Sequence, residues 1–302
     1  SCNNKKFHIN GNITEAKDSM LYLENISLNG PVKIDSVKLG EDGAFDFQEN
    51  AMDSITPEFY RLRIANQTIN LSIDSTETVT VKAAYPQMSY KYEVEGSENC
   101  NTIKELSLKQ MLLQSNINGI VKNPNIGVDS VDVIVARMLN DYKQDIKRNY
   151  IFKAPMQASS YYALFQTIQL GNTNSLIFNP RNNKEDVKVF AAVATSWDTY
   201  YPGAERGKNL HNIAIEGMKD IRIIENQMAQ QKIDASKVQV NGCIELALQD
   251  NQGQIRRLSD LKGKVVLLDF HAFASSESTK RIMMQQISCS RTGNLSGISR
   301  PR

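Results

Sequence analysis

Tyr60-Arg61-Leu62-Arg63-Ile64 and, after Ala65-Asn66-Gln67-Thr68, Ile69-Asn70-Leu71-Ser72-Ile73 alternate apolar and polar side chains with a period of two. Successive side chains on a strand point to opposite faces, so each run buries one face and leaves the other polar. Toward the N-terminus the same alternation appears in Phe45-Asp46-Phe47, behind the turn Glu41-Asp42-Gly43. It appears again in Val32-Lys33-Ile34-Asp35, Met20-Leu21-Tyr22-Leu23-Glu24 and Phe7-His8-Ile9-Asn10-Gly11-Asn12-Ile13. Toward the C-terminus, Val79-Thr80-Val81 and Tyr92-Glu93-Val94 continue it. Short strands at this turn-punctuated spacing predict a β-sandwich or open barrel over residues 7–97. No polar cluster in this stretch suggests chemistry, and a structural or docking role is expected of it.

From residue 98 to 232 the period changes to 3.6. Val131, Ile134, Val135, Met138, Leu139, Tyr142 and Ile146 fall on one helical face, with Asp129 or Ser130 placed to cap it. Leu210, Ile213, Ala214, Gly217, Met218, Ile221, Ile224 and Met228 form another. Shorter helices are expected over 103–114, 158–170 and 185–197, with a loop over 171–183 where Pro180 and several Asn accumulate. Together these predict a five-helix segment with its own core. The only Trp lies in Ser196-Trp197-Asp198-Thr199-Tyr200-Tyr201-Pro202. Trp197, Tyr200 and Tyr201 are therefore the candidate ligand-contacting rings, although such a cluster more often packs a helix end on its neighbour.

The chain has 302 residues, 23% of them charged, with a net charge of +2. This near balance gives no electrostatic case for nucleic acid. No apolar run approaches the roughly 20 residues of a membrane-spanning helix. The four cysteines, Cys2, Cys100, Cys243 and Cys289, include no CxxC and no zinc spacing, and His8, His211 and His271 are scattered. No metal and no cofactor are expected.

The chain opens Ser1-Cys2-Asn3-Asn4-Lys5-Lys6, with no initiator Met, and reads as processed. A cysteine followed by a short polar stretch and then a strand resembles the mature end of a bacterial lipoprotein, in which Cys2 would carry the lipid and tether residues 1–6 to a membrane. Lys5-Lys6 in place of acidic residues points to the periplasmic face of the outer membrane. Residues 7–97 resemble a domain of unknown function from lipoproteins of anaerobic Gram-negative gut bacteria. The features that match are Ile9-Asn10-Gly11, Tyr22-Leu23-Glu24, Ile34-Asp35-Ser36, Asp42-Gly43-Ala44-Phe45, Pro57-Glu58-Phe59-Tyr60 and Gly96-Ser97. In that family a thioredoxin-like domain usually follows.

Leu246 to Ile255 reads as a hairpin with a Gly-containing turn. Beyond it, Leu258-Ser259-Asp260-Leu261-Lys262-Gly263-Lys264 leads into the strand Val265-Val266-Leu267-Leu268-Asp269-Phe270 and the run His271-Ala272-Phe273-Ala274-Ser275-Ser276-Glu277-Ser278. This resembles the opening of the cytochrome-maturation type of thioredoxin, a family of thiol-disulfide oxidoreductases. The resemblance places Ser275 and Ser278 at the family's two cysteine positions and Ala274 at its Trp. That chemistry needs a thiolate and a resolving thiol, and a serine hydroxyl cannot cycle between thiol and disulfide. The family activity is therefore not expected here, unless Cys100, Cys243 or Cys289 replaces the missing pair. Residues 285–302 are rich in Ser, Arg and Gly and show no strand pattern. One back-translation read one base later restores a family-like strand and turn, which points to a frameshift near Met284.

The expected architecture is multidomain α+β: an N-terminal antiparallel β-sandwich, a helical middle segment (98–232) and an incomplete thioredoxin-like α/β C-terminus (233–284) before the irregular tail. The expected function is that of a periplasm-facing lipoprotein that binds or scaffolds, with a periplasmic protein or peptide as partner and membrane contact through the lipid only. The alternative is a thiol-disulfide oxidoreductase acting in cell redox homeostasis.

Overall fold

A computed structural model describes residues 5–51, 56–237, 246–250 and 252–261. Cys2, Cys243, Cys289, Ser275 and Ser278 lie outside the described residues, as does everything read at 262–302. The chain divides into two compact units, Ser1–Asn226 and Gln227–Arg302.

All eight expected strands of the first unit are present: β1 (Lys6–Thr14), β2 (Met20–Ser27), β3 (Gly30–Lys38), β4 (Ala44–Asn50), β5 (Glu58–Ile64), β6 (Gln67–Ile73), β7 (Thr78–Ala84) and β8 (Tyr92–Glu95). They form two four-stranded sheets, ordered β4-β1-β7-β8 and β3-β2-β5-β6. Every pairing is antiparallel except β1 with β7, which run parallel. The two sheets share one core, with Phe7, Ile9 and Val81 from one sheet and Leu21, Leu23, Leu62 and Ile69 from the other. Burial of large apolar side chains at about 1.5–3 kcal/mol each is the main term holding the two layers together.

The alternation is most informative on β5. Tyr60, Leu62 and Ile64 point into the sandwich, whereas Phe59 belongs to a second core built by the helices. The sheet β3-β2-β5-β6 therefore has two working faces.

Two glycines allow close backbone approach within this unit. Gly11 stands opposite Val81 with φ of +139°, and a Cβ there would lie 1.8 Å from the Val81 carbonyl oxygen. Gly43 has φ of +67°, and its Cβ would lie 1.8 Å from the Ile13 carbonyl oxygen. Only glycine permits either approach.

Five helices follow: α1 (Glu98–Val121), α2 (Val128–Ile146), α3 (Ala158–Leu164), α4 (Lys184–Tyr200) and α5 (Glu205–Lys237), with a π-helical turn at Lys147–Ile151 closing α2. Ser97 Oγ caps α1 by accepting the Cys100 N–H at 3.2 Å. The predicted face of α2 is the buried one, with Val135, Tyr142 and Ile146 inside. On α5 the expected face holds for Leu210, Ala214 and Gly217, but Met218 and Met228 are exposed.

Two expectations in the middle segment are corrected. The helix expected over 158–170 ends at Leu164, and Thr167–Leu170 is strand β9. The loop expected over 171–183 contains strand β10 (Thr173–Leu176), paired antiparallel with β9 across Gly171, whose φ is +59°. Helix α1 makes this hairpin possible. Gln114 accepts from the Gln169 N–H at 2.8 Å and donates to the Gln169 carbonyl at 2.9 Å, while Gln110 donates to the Thr167 carbonyl at 2.8 Å. The side-chain amides thus satisfy the strand edge that a neighbouring strand would otherwise cover.

In the second unit the expected hairpin is present as β11 (Ala247–Gln249) and β12 (Ile255–Arg257), turned at Gly253 with φ of +79° and followed by a 3₁₀ turn at Leu258–Leu261. Both strands are exposed along their whole length.

Candidate functional site

Between the outer face of β2-β5-β6 and the helices lies a cleft of about 580 Å³. Strand alternation puts Phe59 and Arg61 of β5 and Asn70 of β6 on this face. Ser107, Gln110 and Met111 of α1, Tyr161 and Tyr162 of α3, Phe165 just after it, and Arg206 and Asn209 of the first turns of α5 close the cleft from the helical side.

The polar wall is pre-ordered. The Tyr162 hydroxyl accepts from Asn70 Nδ2 at 3.2 Å and shares a hydrogen bond with Ser107 Oγ at 2.8 Å. Buried Gln166 donates to the Leu106 carbonyl at 2.9 Å and accepts from the Tyr142 hydroxyl at 2.6 Å. Burial pushes the Tyr162 phenol up, with the hydrogen bonds from Ser107 and Asn70 working against it, so a neutral hydroxyl stands at this wall. Tyr161 is likewise raised by burial against the lowering influence of Arg206 and Asn209.

Arg206 is the unusual member. A cation in the first turn of a helix faces the positive end of the helix dipole, yet Arg206 is only 6% exposed. Its Nη2 donates to the Ile26 carbonyl at 2.5 Å and to Glu58 Oε2 at 3.1 Å. Its guanidinium lies over the Phe59 ring at 4.9 Å and the Tyr161 ring at 5.4 Å. Its buried Nε has no hydrogen-bond partner. Arg61, the other cation on the cleft, donates to Glu24, which also accepts from Arg63 at 2.9 Å. Burial alone would raise the Glu24 carboxyl, but the hydrogen bonds from Arg61 and Arg63 outweigh it and hold it below the usual carboxylate range.

The sequence-predicted rings lie elsewhere in part. Trp197 is fully buried in the helical core, between Tyr161 and Tyr201, each 4.9 Å away. Tyr201 donates to the Met156 carbonyl at 2.9 Å, and Tyr200 is 53% exposed on the surface. None of the three lines the cleft, but Trp197 touches it through Tyr161. Sequence reading missed Arg206, because the apolar pattern of α5 starts at Leu210 and the helix begins earlier, at Glu205. The available signal was an arginine placed directly after Gly203-Ala204-Glu205, where a first helical turn prefers acids.

Cys100, the one cysteine among the described residues, is buried at the start of α1. Its thiol donates to the Ser72 carbonyl at 3.2 Å, and burial raises it above the ordinary thiol value. That environment favours the neutral thiol over the thiolate. Among the described residues no group of three potential metal ligands gathers, and no helix is long and apolar enough to cross a membrane.

Residues 7–103 match the family described as Domain of unknown function (DUF4369). This agrees with the reading of 7–97 as a β-rich domain of unknown function and extends that domain to the Ser97-capped start of α1. A search of curated proteins found no match.

Proposed function

We propose that this chain is a non-catalytic binding protein of the bacterial envelope, lipid-anchored through Cys2 on the periplasm-facing outer membrane. In this reading it is related to the thiol-disulfide oxidoreductases but lacks their cysteine pair, and the cleft above β5 holds its ligand. The observation that carries the reading is the chemistry of that cleft. Its walls offer aromatic rings, amides, hydroxyls and two guanidiniums, and among the described residues no cysteine, histidine or carboxylate lines it. Such groups orient and hold a ligand; the Tyr161 and Tyr162 phenols are raised by burial, whereas acid–base or nucleophilic catalysis at neutral pH is served by a group that titrates near it or by an activated nucleophile beside the reacting atom. Ser275 and Ser278 at the family's cysteine positions and the protonated state favoured at Cys100 support the same reading.

The test is turnover. The full chain with dithiothreitol as reductant is expected to reduce insulin no faster than dithiothreitol alone. Sustained turnover that disappears in Cys243→Ser transfers the assignment to a thiol-disulfide oxidoreductase of cell redox homeostasis.

A further inference from the structure

The cleft carries an unbalanced charge and an unused donor. Arg61 and Arg206 line it, and no acid does. Their partners stand outside the wall: Glu58 serves Arg206, and Glu24 is divided between Arg61 and Arg63. Three guanidiniums thus meet two carboxylates, leaving one positive charge unmatched beside the cleft, shared by Arg61 and Arg63, whose side chains are 27% and 29% exposed. The Arg206 Nε is buried with no partner, and such a donor costs about 1–3 kcal/mol when nothing satisfies it. Its guanidinium plane is already fixed by Phe59 and Tyr161, so a ligand group would meet a donor that needs no ordering.

We infer that the cleft selects an organic monoanion: a carboxylate carried on an apolar or aromatic body. The carboxylate accepts a single charge-assisted hydrogen bond from Arg206 Nε, since both hydrogens of Nη2 are already given to the Ile26 carbonyl and Glu58. The body lies against Phe59, Phe165 and Met111, the apolar side of the cleft. One unmatched charge calls for a single negative charge, and a phosphate dianion would overcompensate it. The inference rests on the reading of this cleft as a binding site. The carboxylate is either the free C-terminus of an apolar peptide or that of a small aryl acid, two sources of one chemistry.

The experiment uses the full chain and two probe pairs: N-acetyl-alanyl-phenylalanine and its C-terminal amide, and 3-phenylpropionate and its amide. Binding is followed by calorimetry and by the fluorescence of Trp197, which packs on the cleft-lining Tyr161. Each acid is expected to bind at least about tenfold more tightly than its amide. A peptide acid that outbinds 3-phenylpropionate identifies the peptide source, and equal affinity identifies the carboxylate alone. Arg206→Lys, which keeps the charge on Glu58 but removes Nε, is expected to abolish most of the acid preference while the protein stays folded by circular dichroism. Equal binding of acid and amide overturns carboxylate selection and leaves the cleft as a binding site. No binding of any probe at millimolar concentration overturns both. The acid–amide comparison uses the unaltered protein and does not depend on any variant folding.

Discussion

The sandwich core and the seam between its outer sheet and the helices share the strand pair β5–β6, yet they solve different problems. Inside the sandwich, Leu23, Leu62, Ile69 and their neighbours are apolar and fully buried. At the seam and in the helical core, the same β5 supplies Phe59 beside a buried arginine, and the helices bury Asp186, Gln166 and Ser160. The four buried polar atoms without a partner among the described residues are Ser72 Oγ, Asp74 Oδ1, Trp197 Nε1 and Arg206 Nε; Trp197 belongs to the helical core and Arg206 to the seam. A core selected for stability alone has no reason to retain such groups, because each costs desolvation energy. The inner face of the sheet holds the fold, whereas its outer face keeps polar and charged groups at the seam.

Three measurements break or sharpen this contrast. The largest effect is expected in the sandwich, where backbone meets backbone. Gly11→Ala forces a Cβ onto the Val81 carbonyl, and urea unfolding should show a loss of at least about 4 kcal/mol or no folded protein at all. A near-neutral outcome would mean that the parallel β1–β7 pair yields to an added Cβ and is not rigid.

The next effect belongs to the helical core. Asp186, 1% exposed, accepts from Lys143 Nζ at 2.6 Å and from the Asn179 N–H at 2.8 Å. Asp186→Ala strands a largely buried lysine, and a destabilisation of about 3 kcal/mol is expected from the same urea titration. A change no larger than that of an exposed ion pair would remove the polar character assigned to this core.

The smallest effect is a pH dependence at the seam. The folded Glu24 carboxyl titrates below its ordinary 4.5, so its ionised form stabilises the fold at neutral pH, and that contribution is lost as pH falls through the folded value. The stability gap between the wild type and Glu24→Gln should therefore be present at neutral pH and narrow on acidification below 4.5. A gap that stays constant with pH would show that Arg61 and Arg63 draw nothing from the charge.

Much of the fold was legible in the sequence. Period-two runs located all eight strands; seven of them carry buried residues, whereas β3 has none, its Val32 and Ile34 being exposed. Period-3.6 runs located α2 and α5 through the apolar face each presents. The β9–β10 hairpin was not legible. Its short strands survive only because Gln110 and Gln114 of α1 satisfy their edge, a partnership between residues far apart in the chain. The candidate site was less legible still. Trp197 drew notice as the lone indole, but its ring fills the core, whereas Arg206 stood in a polar stretch with no periodic mark.

By itself the sequence determined the alternation, the helical faces, the turn at Glu41-Asp42-Gly43 and the absence of a cysteine pair at 275–278, because each is a local or periodic property. Only the tertiary structure decided that Phe59 and Arg61, on the outer face of β5, would meet Tyr161 and Arg206 from two helices. Which faces pack together depends on contacts across the whole unit, and a desolvated guanidinium with an unused donor arises only once those faces have closed on each other.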